Sequence, residues 1–134
     1  MPGRKNISSG GLWEPIIGYS RAVRVGPWVC VSGTTAMTPQ GLVGRGNAYE
    51  QTRQALRTME TALLEAGASM SQVIRTRMFL TNIQLWEEVG RAHGEVFGSI
   101  RPAATMVEVS RLLDPEMLVE IEADAYVPEL AVDP

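Results

Sequence analysis

The sequence holds one cysteine, Cys30, and one histidine, His93, in 134 residues. A lone cysteine closes no internal disulfide. One thiol with one imidazole is no zinc cluster either, so no metal is expected. No apolar run approaches the length of a membrane span, and no apolar segment follows the basic residues of MPGRKNISSGG. Neither a membrane anchor nor a secretory leader is predicted, and the protein is expected in the cytoplasm. Twelve Lys and Arg are scattered among fifteen Asp and Glu for a net charge of -3, which leaves no basic footprint for nucleic acid or an anionic membrane. The glycines of GLVGRG come without the lysine and hydroxyl of a phosphate loop, so they read as a turn and no nucleotide cofactor is predicted.

What is present is enough for a core. With 45% hydrophobic and 20% charged residues, the chain has the size of one domain, 1–134, with a core over about 19–127 and loosely held termini, MPGRKNISSGG and VPELAVDP. Two strands, 22–25 and 28–37, are predicted around the turn Gly26-Pro27. Asn47 with Glu50 makes a capping box, after which Ala48, Thr52, Ala55, Leu56, Met59, Ala62, Leu63 and Ala66 recur at helical spacing until Gly67 stops the helix. SQVIRTRMFLT is a strand with Ile74, Thr76, Met78 and Leu80 on one face and Val73, Arg75, Arg77 and Phe79 on the other. Thr81 with Gln84 predicts a cap for a second helix, whose stripe is Leu85, Trp86, Val89, His93, Val96 and Phe97.

IRPAATMVEVS is a strand entered from a proline. Its alternation predicts Thr105, Val107 and Val109 toward the helices and Ala104, Met106 and Glu108 toward the opposite face. LVEIEADAYV closes the chain with Val119, Ile121, Ala123, Ala125 and Val127 on one face and Glu120, Glu122, Asp124 and Tyr126 on the other. This order predicts an α+β fold, a mixed sheet with two helices on one face. The free face then carries Arg75, Arg77, Glu108, Glu120 and Glu122 among Trp28, Cys30, Met106 and Tyr126. That mixture suits a subunit interface, with Arg75 or Arg77 paired to Glu120 or Glu122.

Nucleophilic chemistry has little to work with. His93 lies on a packing stripe and reads as a helix-packing histidine, and Cys30 sits inside a strand without a local base and reads as a small buried hydrophobe. Glu120 and Glu122 share a face, as paired carboxylates do, and equally as partners for interfacial arginines.

The element order together with VCVSGTTAM, AYEQTRQALRTMETALLEAGASMSQVIRTRMFLTNI, RPAATMVEV and LVEIEADA, spanning Tyr19 to Tyr126, resembles the RidA (YjgF) family of reactive-intermediate deaminases. The resemblance implies a chorismate-mutase-like fold, a homotrimer around a central barrel-like core, and clefts between subunits. In deaminating members 2-imino acids, or their 2-aminoacrylate tautomers, are hydrolysed there to 2-oxo acids and ammonia without metal or cofactor. It assigns the water-positioning role to Glu120, and the substrate cleft to Tyr19, Gly33 with its neighbour Thr34, Phe97, Ala104 and Met106. The family's carboxylate-binding arginine is not matched, because Ala104 stands in its place. Met106 stands where cysteine is common, Gly90 where asparagine is found on the second helix, and His93 where many members carry tyrosine. A lost guanidinium fork removes roughly 2 to 5 kcal/mol of carboxylate binding. Position 104 therefore marks a substrate unlike the usual 2-imino acid, unless Arg21, Arg24, Arg75, Arg77 or Arg101 supplies the cation. Two functions follow from the sequence: an imine or enamine hydrolase, or a non-catalytic trimer that binds a small metabolite.

Overall fold

The computed structural model describes residues 3–128. The strands are β1 (Arg4–Ile7), β2 (Ala22–Val25), β3 (Trp28–Thr34), β4 (Met37–Thr38), β5 (Gly41–Leu42), β6 (Val73–Leu80), β7 (Ala103–Glu108) and β8 (Val119–Tyr126); the helices are α1 (Ala48–Glu65) and α2 (Trp86–Phe97). Six strands form one mixed sheet in the order β1-β2-β3-β8-β6-β7, and β4 and β5 make a separate small hairpin. Only β6 and β7 run parallel, because α2 carries the chain back to the start of the sheet between them. The α+β fold expected from the sequence is the fold observed.

Local chemistry explains the helices. Asn47 accepts the Glu50 backbone N–H at 3.0 Å and caps α1, and Gly67 ends the segment with φ +81°, which a side chain would resist. Two further side chains serve the carbonyls at that end with three hydrogen bonds. Lys5 Nζ reaches Glu65 O at 2.7 Å, and Arg24 Nη1 reaches Ala66 O at 2.9 Å and Gly67 O at 3.3 Å. The α1 stripe packs on Val29, Val31, Ile121, Ala123 and Ala125 of the sheet in one continuous core. Gln51, fully buried on that stripe, gives Nε2 to Gly44 O and Glu116 O and accepts the Leu118 N–H, so one side chain satisfies three loop groups before β8 begins.

Four details differ from the sequence reading. The supposedly loose start contains β1, which pairs antiparallel with β2; only residues 1–2 and 129–134 of the expected loose ends lie outside the described part. A register shift between Val73 and Arg75 turns Val73 into the core and leaves Ile74 46% exposed. Asn82, not Thr81, accepts the Gln84 N–H, capping a short 3₁₀ turn (Ile83–Leu85) that precedes α2; Trp86 is then 54% exposed, and Ala92 is buried in its stead. Strand β7 is turned over. Ala104 lies beside the buried Thr76 and Met106 beside the buried Met78, on the side of the helices, while Thr105 and Val107 lie beside Arg77 and Phe79 on the free face.

The free face carries the mixture that the alternation predicts. Trp28 and Tyr126 meet edge to face at 5.0 Å, and Arg77 spans the sheet to Glu122 at 3.2 Å and Asp124 at 3.3 Å. Cys30 is exposed there rather than buried as a core hydrophobe. Partial burial first, then the neighbouring Asp124 carboxylate, push its thiol pKa up, away from a reactive thiolate.

Candidate functional site

The sheet is irregular where chemistry is expected. Pairing of β3 with β8 slips between Val31 and Thr34, and Gly33 sits in that bulge. A Cβ built on Gly33 would lie 2.4 Å from Glu120 Oε2 and 2.8 Å from its Cδ. The glycine is there because the Glu120 carboxyl lies against its backbone. Burial pushes the Glu120 pKa up, Arg21 opposes that rise, and Glu122 adds to it, so the carboxyl keeps its proton to higher pH than a free glutamate.

Arg21 occupies the space beside this pair. It is 8% exposed, and its guanidinium donates from Nη1 to Gly33 O at 2.6 Å and Thr34 Oγ1 at 3.2 Å, from Nε to Ser9 Oγ at 3.2 Å, and from Nη2 to the Tyr19 hydroxyl at 3.3 Å. The Tyr19 ring centroid is 5.4 Å from its central carbon. Ser9 in turn donates its hydroxyl to Glu14 Oε2 at 2.6 Å, and the backbone N–H groups of Ser9 and Gly11 donate to the same oxygen. Burial raises the Glu14 pKa, but these bonds together with Ser8 outweigh it and hold the carboxyl below its ordinary value. An acid three residues after a Gly-Gly pair thus clamps the segment 8–14 over the bulge.

Around these groups opens a cleft of about 1120 Å³, walled by the 8–13 segment, the β3–β4 bend, one side of α1 and the loop before β8. Tyr19, Arg21, Gly33, Thr34 and Glu120 all line it, with Trp13 at the rim.

The remaining residues expected in the site lie elsewhere. Phe97 is buried in the core under α2, with the His93 ring 4.7 Å away. His93 Nε2 meets Thr76 Oγ1 at 2.9 Å, and burial lowers its pKa, so the ring is a neutral packing partner, as its place on the stripe predicts. Ala104 and Met106 stand next to this cluster at the β7 edge. Glu120 lies beside Phe79 on the free face, and Ala104 lies beside Thr76 on the helix face, so one sheet separates the two sets within a single chain. The resemblance places them together in clefts between subunits, and within one chain they stand on opposite faces of the sheet. The sequence reading missed Ser9 and Glu14, whose contacts depend on a loop with no periodicity, and it named Arg21 only as one of five arginines that could supply a cation.

The family model for Endoribonuclease L-PSP matches residues 12–127. The chain belongs to that family, the RidA (YjgF) family.

Among RidA-family relatives, an uncharacterized protein of Streptomyces coelicolor, SCO2049, is 42% identical over 91% of each chain. A RutC family protein of Pyrococcus abyssi, PYRAB12510, is 35% identical over 84% of this chain and 89% of the relative. The crystal structure of Rv2704 from Mycobacterium tuberculosis, a member of the YjgF/YER057c/UK114 family, matches with a TM-score of 0.84 at 52% identity, covering 92% of this chain and 99% of that one. The RidA fold therefore extends over both sets of residues, including the segment 12–18 beside the cleft and the edge strand with Ala104.

Proposed function

We propose that this RidA-family chain hydrolyses a small reactive imine or enamine, in clefts that copies of the chain complete by joining the Glu120 half-site of one to the Ala104 half-site of the next in a homotrimer. The observation that carries the reading is the Glu120 carboxyl seated on Gly33, half-buried beside Arg21 and the Tyr19 hydroxyl. A carboxyl with a raised pKa sits nearer to neutrality and exchanges a proton with water more readily than an exposed one. Water attacks the C=N carbon while Glu120 takes its proton. Glu120 returns that proton to nitrogen, giving the neutral carbinolamine, and then moves the hydroxyl proton to nitrogen as the C–N bond breaks, giving a carbonyl compound and ammonia. Imine and water are the whole input, and the electrophile is the C=N bond itself, so the sequence of steps asks for no cofactor. The mixed free face, with Trp28, Val25, Val107 and Tyr126 exposed in one chain, favours association between copies. One buried arginine is no track for a phosphate backbone, which weighs against a nucleic-acid substrate.

The test generates 2-iminopropanoate enzymatically and follows its loss with wild type and Glu120→Gln. Acceleration that falls by about 10²- to 10⁴-fold in the variant supports the hydrolase. An equal rate for the two sinks it. A second reading, a metabolite-binding trimer without turnover, draws on the uncharged Ala104 half-site. It is favoured by saturable ligand binding with no acceleration. Size in solution checks the assembly, since a stable monomer would leave the half-sites apart.

A further inference from the structure

Arg21 is a buried cation that no carboxylate of the described residues touches, with Glu120 acting on it only from beyond ion-pair distance. The ion pairs among the described residues are Arg45 with Glu116 and Arg77 with Glu122 and Asp124, and none involves Arg21. Its four hydrogen bonds go to a carbonyl and three hydroxyls, all neutral. A guanidinium has five N–H groups and does not lose its proton, so one Nη2 hydrogen and the full charge are left over. The acids nearby do not absorb them. Glu14 is occupied by Ser9 and Gly11 and reaches Arg21 only through the Ser9 hydroxyl. Glu120 lies on Gly33 outside ion-pair distance of Arg21. Burying a cation in this way is unfavourable unless an anion arrives from outside. The Tyr19 hydroxyl beside the free Nη2 hydrogen adds a second polar group at the same wall of the cleft.

We propose that Arg21 is the anion anchor of this cleft and that its ligand is a small monocarboxylate, held between Arg21 and the Tyr19 hydroxyl with its reactive carbon toward Glu120. The anchor thus stands in the half-site that carries the catalytic carboxyl, and the edge strand, with Ala104, contributes no charge. The carboxylate then docks against the 8–13 segment, and the ligand lies the other way round from one anchored at position 104. This rests on the cleft being the ligand site proposed above, but it does not require turnover.

The experiment measures equilibrium binding of pyruvate and of its neutral analogue pyruvamide to the whole protein, by titration calorimetry and two-dimensional NMR. The ratio of the two affinities is the readout, because a merely structural Arg21 would change both alike. Wild type is expected to prefer pyruvate by at least about 10-fold, a charge-assisted bond's worth. Arg21→Gln brings the ratio to about one, and Arg21→Lys, which keeps the charge and serves if the glutamine variant does not fold, retains part of it. Pyruvate should shift the amide signals of Tyr19 and Gly33. Three results each overturn the anchor: no saturable pyruvate binding, equal affinity for acid and amide in wild type, or a preference unchanged in Arg21→Gln and Arg21→Lys. A preserved preference without imine hydrolysis sinks the hydrolase and leaves the anchor standing. Hydrolysis with no preference does the reverse.

Discussion

The two half-sites of this chain are built from opposite materials. Around the β3 bulge, Tyr19, Arg21 and Glu120 line a cleft, and Arg21 and the Glu14 carboxyl behind it are held by charge-assisted and hydroxyl hydrogen bonds. At the β7 edge, His93, Phe97, Ala104 and Met106 form an uncharged cluster whose one polar link is His93 to Thr76. The bulge half accepts desolvated charge, which folding alone does not favour. The edge half satisfies its polar atoms and packs. Electrostatic cost is thus kept in one place and economy in the other, as expected where a site is set apart from the packing that holds shape.

The largest effect that would break this division is expected at Glu120. Glu120→Gln keeps the shape and removes the titrating proton, so the hydrolytic rate falls by about 10²- to 10⁴-fold. Stability should move the other way. Because the folded pKa lies above the ordinary 4.5, the folded protein holds this proton more tightly than the unfolded chain. The ionised carboxyl therefore destabilises the fold at neutral pH, and that burden fades as pH falls through the folded pKa toward 4.5. Thermal melts should show the glutamine variant above wild type at pH 7 and level with it near pH 4. A lower melting temperature at pH 7 would mean that Glu120 is a structural residue like His93, and the contrast would collapse.

Next comes Gly33→Ala. Its new methyl would fall 2.4 Å from Glu120 Oε2, so the flexible end of the glutamate must move while the backbone stays. A misplacement of about 1 Å at a reacting group costs on the order of 10²-fold in rate. The melting temperature is expected to change little. A variant as active as wild type would show that the carboxyl does not work from its observed seat.

How much of this contrast a sequence discloses depends on periodicity. The α1 cap at Asn47 and the alternation of β8 are local patterns, and both stand as predicted. Strand β7 defeats the same reasoning because it is an edge strand with little burial on either face. Ala104-Met106 and Thr105-Val107 are nearly equal in apolarity, and only pairing with Thr76 and Met78 decides which set points to the helices. The inward turn of Val73 needs a bulge that no residue type announces. Arg21 is harder still. Its partners Ser9, Gly33 and Thr34 come from two stretches distant from it in sequence, so a charged residue at the start of a strand reads as surface until the chain is folded. The absent charge at position 104 is visible only through the family pattern.

A smaller effect sharpens the edge half. His93→Phe keeps the aromatic packing on Phe97 but leaves the fully buried Thr76 hydroxyl without its partner, at a cost of about 1–3 kcal/mol. Thr76→Val in the same chain removes the orphan and should restore most of that loss. The pH signature is the smallest expected effect and the most specific. Burial depresses the His93 pKa below its ordinary 6.5, so the unfolded chain takes up this proton first as pH falls. The contribution of neutral His93 is fully present above about pH 6.5 and is lost as pH drops from there through the folded pKa. Acidification thus weakens the fold through the edge half and relieves it through Glu120. Subtracting the Thr76→Val/His93→Phe melting curve from that of wild type should isolate the first term as a decline below pH 6.5. A flat difference would place the His93 proton where water reaches it, and the edge half would no longer be the uncharged one.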